Sequence, residues 1–216
     1  MLKERILEIS REEKLSHLGS NTSMANIMEA VFETKEENER FVLSNGHAGL
    51  SLYVALERYE GKDAVELFHK HGVHPNKDKE DGIDVSTGSL GMGLPIALGM
   101  ALAREDNVYC TISDGECAEG SIWETLRIGA EQNATNLKVV VNANGWGAYR
   151  PVDRIDLMTK FAAFGWIPVE VDGHNTEEIK DVLELERDYP VIVVAHTNSD
   201  INDEIKGLDS HYLKLK

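Results

Sequence analysis

The sequence predicts an α/β fold, a parallel sheet flanked by helices on both faces, and three observations carry that expectation. Unbroken apolar runs, Val108-Tyr109-Cys110-Thr111-Ile112, Val139-Val140-Val141 and Val191-Ile192-Val193-Val194-Ala195, alternate with segments of helical period. A run with no polar face belongs to a strand covered on both sides, the mark of a parallel sheet. Two of these runs end in turn signals, Ser113-Asp114-Gly115 and Asn142-Ala143-Asn144-Gly145. In a right-handed crossover both turns fall at the carboxyl ends of neighbouring strands, where open α/β sheets hold their ligands. The chain's 216 residues, 42% of them apolar, suffice for one substantial domain with a buried core.

Taken in order, residues 1 to about 15 place Leu2, Ile6, Leu7, Ile9 and Leu15 among charges, the pattern of an amphipathic helix. Ser16 to Asn21 reads as a turn-rich insert. A second helix follows, with Ser23 as its N-cap and Met24, Ile27, Met28 and Val31 as its apolar stripe. Phe41-Val42-Leu43 reads as a short strand running into Ser44-Asn45-Gly46-His47, and helices are expected over about 48–60 and 63–70. Residues 72–84 form a loop holding His74-Pro75. The glycine-rich run Ser86 to Gly93 opens a helix through Ala103, with Pro95 in its first turn, where a missing N–H costs nothing. That helix is apolar nearly all round and is expected to be buried. A helix over Ser121–Asn133 links the two central strands. Helices near 154–164 and 176–187 then alternate with strands 166–171 and 191–195, and the residues after Thr197 read as an extended polar tail.

The formal net charge is −16, which argues against nucleic acid or an anionic membrane surface as a partner, since both need a basic footprint. Two cysteines, Cys110 and Cys117, have no metal-type spacing and suit a reducing compartment. With no signal-peptide core and no apolar run of membrane length, the expectation is a soluble cytoplasmic protein. An acidic protein can still hold an anionic ligand through a divalent ion and the backbone N–H groups of a helix start.

The central stretch suggests such an ion. Asp114 and Asn144 would put a carboxylate and an amide oxygen across one crevice, a sparse set of hard oxygen ligands suited to a magnesium-type ion. On its own, Asp114 could equally be the cap of the following helix. An Asp-Gly closing one strand and an Asn closing the next, with 28 residues (116 to 143) between Gly115 and Asn144, resembles the thiamine-diphosphate signature. The resemblance implies Asp114, Asn144 and the backbone carbonyl of Trp146 as metal ligands. Ser113 stands where that family usually has Gly, and Ala143 where it usually has Asn. A dinucleotide fingerprint is the competing reading of the glycine run, but Gly88-x-x-Gly91-x-Gly93 has the wrong order and leaves Asn144 without a use.

Further segments, Phe41 to His47, Ser86 to Gly91, Phe164-Gly165-Trp166 and Asp172-Gly173-His174, occur in the order of the amino-terminal, diphosphate-binding domain of transketolases and resemble it over residues 10–197. The resemblance implies a thiamine-diphosphate-binding fold over 1–197, with 198–216 as a polar C-terminal tail. It places Gly88, Ser89 and Leu90 along the cofactor, and has Gly115 and Glu116 offer backbone N–H groups to the diphosphate. Of eight histidines, His17, His47 and His74 match imidazoles that face substrate or cofactor. A neutral imidazole there can pass protons or bond an oxygen that gains charge. Leu18 replaces the family's proline after His17. His211 corresponds loosely to a late histidine near the diphosphate. His69 and His71 read as surface residues, His174 as a structural corner, and His196 has no assigned role. Glu119 and Glu124 form a plain solvated i, i+5 pair on spacing, whereas the resemblance puts them at a subunit interface that links active sites through protons.

The glutamate that activates thiamine and the arginines that read a sugar phosphate belong to the family's other domains, and these 216 residues hold no counterpart. The resemblance therefore implies the amino-terminal subunit of a split transketolase, using thiamine diphosphate and Mg²⁺, with Ca²⁺ or Mn²⁺ as alternatives. It would move a two-carbon ketol unit from a ketose to an aldose, on sugar or sugar-phosphate substrates. A separate carboxy-terminal subunit, in an α2β2 assembly, would complete it. A non-catalytic cofactor-binding partner, or the α subunit of a thiamine-dependent ketoacid dehydrogenase, are the alternatives. The acidic stretch Asn198 to Asp203 and the run Gly145 to Tyr149 depart from common transketolases and suggest a specialised sugar pathway.

Overall fold

In the computed structural model residues 1–147 and 149–215 are described, with Arg154 described by its backbone alone. Five parallel strands form one sheet: β1 (Arg40–Leu43), β2 (Val108–Ser113), β3 (Leu137–Ala143), β4 (Ile167–Asp172) and β5 (Val191–His196), in the order β1-β2-β3-β5-β4. Strand side chains alternate between faces, and the core divides accordingly. Phe41, Leu43, Tyr109, Val140 and Val193 meet helices α1 (Leu2–Glu12), α3 (Ala25–Thr34), α4 (Gly49–Glu60), α5 (Ala64–His71) and α9 (Thr176–Glu184). Val42, Cys110, Ile112, Val139, Val141 and Val194 meet α6 (Gly93–Leu102), α7 (Gly120–Glu131) and α8 (Arg154–Ala163) on the other face. The parallel sheet covered on both faces is the architecture expected from the apolar runs.

Local chemistry sets the helix starts. Asp63 accepts from the N–H groups of Val65 and Glu66, Asp153 from Ile155 and Asp156, and Asn175 from Glu178, each such cap contributing about 1 kcal/mol.

Five expectations need correction. Ser16 to Asn21 is not merely turn: Leu18–Ser23 form a short helix, α2, entered through His17 in the left-handed region at φ 58°. Ser23 consequently ends α2 instead of capping α3, and its hydroxyl donates to the Ser20 carbonyl. Helix α6 is buried on one stripe only, Leu94, Ala97, Leu98 and Ala101. Met92, Ile96 and Leu102 are 48%, 40% and 50% exposed, because the sheet covers one side of α6 and nothing among the described residues covers the other. The segment after Thr197 folds back instead of extending. Its short helix α10 (Asp209–Tyr212) packs on α2, Ile205, Ser210 and His211 are buried, and the His17 N–H donates to the His211 carbonyl at 2.9 Å. Helix α9 also stops at Glu184, short of Arg187, where Leu185 turns extended at ψ 121°. No helix among the described residues is long and apolar enough to cross a membrane.

Candidate active site

Strands β2 and β3 lie side by side with Ser113 opposite Asn142, so the turns that follow them are neighbours. The Asp114 carboxylate, 1% exposed, ties them together. Its Oδ1 accepts from the Gly115 N–H at 2.9 Å and its Oδ2 accepts from the Gly145 N–H at 2.6 Å. The first bond is a cap on the single 3-10 turn of 115–118. The second reaches the adjacent strand's turn, which capping alone does not require. Asn144 Oδ1 accepts from the Trp146 N–H at 2.9 Å. The Trp146 carbonyl oxygen lies 3.6 Å from where a Cβ on Gly115 would stand, and the Gly147 Cα lies 3.2 Å from it. The loop carrying Trp146 is closed by the Gly147 N–H to the Arg150 carbonyl and the Val152 N–H to the Gly145 carbonyl, at 2.9 and 3.0 Å. The two departures from the signature are accommodated. Ser113 Oγ accepts from the Glu116 N–H at 3.2 Å, and the Ala143 carbonyl accepts from the Thr197 N–H at 3.2 Å.

Beside these turns opens a cleft of about 190 Å³ that gathers His17, His47, His74, Gly88, Leu90, Gly115, Asn144, Trp146 and His211. Asp114 and Glu116 are buried next to it without lining it, and Ser89 is exposed. Glu119 and Glu124 are exposed outside the cleft, with Glu124 paired to Arg127 at 2.7 Å. The glycine run approaches His74 closely. Gly88 has φ 145°, and an added Cβ would stand 3.1 Å from the His74 ring. The Thr87 N–H donates to the Pro75 carbonyl at 3.1 Å, holding the two loops together.

The imidazoles form a cluster with little charge. The His17 ring is 5.6 Å from His47 and 6.3 Å from His211, centroid to centroid. Burial, with smaller repulsions from His17, His211 and His74, pushes His47 down to about 3. Burial lowers His17 as well, helped by His74, and lowers His211, helped by His17. At neutral pH these rings are neutral, able to accept or donate one hydrogen bond at each nitrogen. Burial also pushes the Glu116 carboxyl up, while hydrogen bonds from Gly91, Ser44 and Ser113 pull it back.

The donor set fits an anionic ligand carried on a hard cation. Carboxylate, amide and carbonyl oxygens are ligands of Mg²⁺ or its relatives. Around the cleft His17 Nδ1, Ser20 Oγ, Asn45 Nδ2, Thr87 Oγ1 and His211 Nδ1 are buried without a hydrogen-bond partner. Buried polar atoms are seldom left unpaired, so these are groups that a bound ligand could satisfy. The N–H groups of Gly115 and Glu116, expected to face a diphosphate, are used internally by Asp114 Oδ1 and Ser113 Oγ.

Several residues escaped the reading of the sequence. Asn21 links the two histidine turns: its Nδ2 donates to the His17 carbonyl at 2.9 Å and the His47 carbonyl at 3.4 Å, while its Oδ1 accepts from the Ser51 N–H. Ser20, Gly147 and Tyr212 line the cleft. His71 is a correction. Its side chain is 4% exposed, with Nε2 2.7 Å from Asp81, because the loop after α5 folds over it. His71, Asp78 and Asp81 converge closely enough to hold a cation, but the Lys70 ammonium already sits 2.8 and 2.7 Å from the two carboxylates. A larger hollow of about 560 Å³ lies at the amino end of β1, far from the cleft, lined by Lys35, Arg40, Glu37 and Asp84 among others.

A parallel α/β sheet with an Asp turn and an Asn turn on adjacent strands, beside a cleft that gathers four imidazoles, is the arrangement of an α/β protein that binds its ligand at the carboxyl ends of the strands. The chain belongs to the family described as "Transketolase, thiamine diphosphate binding domain", which it matches over residues 4–201. It is 31% identical over 195 residues to the 6-deoxy-6-sulfo-D-fructose transketolase subunit SqwG of Clostridium sp. (strain MSTE9), covering 79% of this chain and 71% of that one. It is 30% identical over 228 residues to a subunit of the apulose-4-phosphate transketolase of Phocaeicola vulgatus, covering 90% and 79%. Human transketolase is 34% identical over 175 residues, and the match spans 74% of this chain but 28% of that relative's length. The crystal structure of Campylobacter jejuni transketolase shares the fold at TM-score 0.85 and 23% identity, over 100% of this chain and 39% of that one.

Proposed function

We propose that this chain is the amino-terminal subunit of a split transketolase, acting in the cytoplasm on a sugar or sugar phosphate and transferring a two-carbon ketol unit from a ketose to an aldose. The observation that carries the reading is the bond from the Gly145 N–H to Asp114 Oδ2, which ties the Asp114 turn to the turn of Asn144 and Trp146 beside a cleft that holds four imidazoles. These three residues would hold Mg²⁺, and Ca²⁺ or Mn²⁺ suit the same oxygens. Thiamine diphosphate supplies the electron sink for breaking and making a carbon–carbon bond beside a carbonyl. The chain's own residues bind and orient. The Gly115 and Glu116 N–H groups would turn from their internal acceptors to diphosphate oxygens, and Gly88 and Leu90 would flank the ring system. His17, His47 and His74 would hydrogen-bond the sugar oxygens and move protons on them, with His211 nearer the diphosphate. Glu119 and Glu124 are assigned to a contact between subunits.

Support for the split comes from the relatives named as transketolase subunits, which match along most of their length. The partner would supply the glutamate for the cofactor's pyrimidine, with two copies of each chain in the assembly. The exposed apolar positions Met92, Ile96 and Leu102 on α6 suit such an assembly. The test is to purify the chain with thiamine diphosphate and Mg²⁺ and to assay ketol transfer with and without the polypeptide encoded beside it. Activity is expected only from the pair, and robust transfer by this chain alone would refute the split.

A further inference from the structure

We propose that the side chain of Glu116 is a positioning residue that fixes three cleft-lining loops against one another through a single buried carboxylate. The inference deepens the proposed function and rests on it. Glu116 is 0% exposed, and an anionic group is retained in such a place only when its oxygens are well satisfied. Oε1 accepts from Ser44 Oγ at 2.7 Å and from the Gly91 N–H at 2.8 Å, and Oε2 accepts from the Ser113 N–H at 3.0 Å. These donors sit on three segments, 72, 25 and 3 residues away in the chain.

Each donor stands next to something the cleft uses. Ser44 follows β1 directly and leads into the turn of His47. Gly91 follows Leu90 and closes the glycine run. Ser113 lines the cleft itself and precedes Asp114. The loops are also packed without slack. A Cβ on Gly93 would stand 2.5 Å from the Ser44 Cα, and the Gly91 carbonyl is held from its other side by Ser121 Oγ at 2.8 Å. The Glu116 side chain therefore acts at one remove from any ligand, deciding where the His47 turn, the glycine run and the Asp114 turn stand relative to one another. Each oxygen faces a backbone N–H, Oε1 that of Gly91 and Oε2 that of Ser113. A glutamine would keep one oxygen and point an NH₂ at a donor on the other side, leaving two donors facing each other.

The test uses the chain assembled with its carboxy-terminal partner and reads thiamine-diphosphate affinity by calorimetry with Mg²⁺, alongside the melting temperature. Two variants are compared: Glu116→Gln, and Val139→Ala as a core change on β3 with no link to the loops. The expectation is about tenfold weaker binding for E116Q, the scale of one lost hydrogen bond to a charged group. V139A, at a similar loss of melting temperature, should bind as wild type. Wild-type affinity in E116Q, or equal weakening in V139A, overturns the proposal, the latter because it would make the effect one of general stability. If E116Q does not fold, Ser44→Ala, which removes one donor of the three, is read by the same criteria. Failure of the wild-type assembly to bind the cofactor would instead sink the proposed function, so the two failures are distinguishable.

Discussion

Asp114 acts through two bonds, one within its own turn and one to Gly145, and a loss there disturbs both a ligand and the spacing of the turns. Asp114→Ala is expected to weaken thiamine diphosphate with Mg²⁺ by at least about 100-fold, beyond the range seen for outer-shell partners. Calorimetry on the assembled complex checks it, and a binding heat unchanged from wild type would contradict the metal assignment. His47 makes a second prediction. Its folded value is pushed to about 3, whereas an unfolded histidine titrates near about 6.5. The unfolded chain therefore binds more protons between those limits, so stability is full above the upper one and falls as the pH drops toward the lower. His17 and His211 shift the same way and add to the slope. Denaturant unfolding between neutral pH and pH about 4 should show His47→Gln flattening the slope, by at most about 1.4 kcal/mol per pH unit for one proton. A slope as steep in the variant as in wild type would remove His47 from the account. At this scale the histidines of Ser-Asn-Gly-His and its fellow motifs were legible because short strings carry them. Asn21 and His71 were not, since Asn21 owes its place to partners 26 and 30 residues on and His71 to a loop that folds back over it.

Among the elements, the strands and the order of helices could be read from apolar runs because burial on both faces leaves no other pattern. Helix α2 could not. Its residues Leu18-Gly19-Ser20-Asn21-Thr22-Ser23 have weak helical preference, and the helix holds through Thr22 Oγ1 to the Leu18 carbonyl and Asn21 to the histidine turns. The folded-back tail escaped for the same reason: its polar sequence hides Ile205, Ser210 and His211, which are buried against other parts of the chain. Close approach at α6 yields a test in which two effects oppose. Gly93→Ala should favour the helix by up to about 1 kcal/mol. Yet its Cβ would stand 2.5 Å from the Ser44 Cα, a backbone atom with little room to give, and such overpacking costs typically about 1 to 3 kcal/mol. The steric term should win, with a lower melting temperature in the variant, and a rise would mean that β1 and α6 separate more easily than their packing indicates.

At the scale of the molecule, two features outside any motif bear on assembly and charge. Ile96 is 40% exposed on the outer stripe of α6, so Ile96→Asp is expected to leave the isolated chain folded and to weaken its association with the partner subunit. Sedimentation of the mixed subunits reads the outcome, and an unaltered complex would show that α6 faces solvent. The net charge of −16 sets the second problem, because no Lys or Arg among the described residues lines the cleft. A diphosphate held by lysines or arginines loses affinity as salt screens the contacts, whereas ligation to a cation and backbone N–H bonds acts at short range and is screened far less. Screening also relieves the long-range repulsion between an acidic protein and an anionic ligand. With saturating Mg²⁺, thiamine-diphosphate affinity should therefore change less than about twofold between about 50 and about 200 mM NaCl, a range over which the screening length halves. Chelating the metal should abolish binding at either salt. A steep loss with salt at constant Mg²⁺ would mean that basic side chains of the partner hold the diphosphate, and the division of labour between the two chains would have to be redrawn.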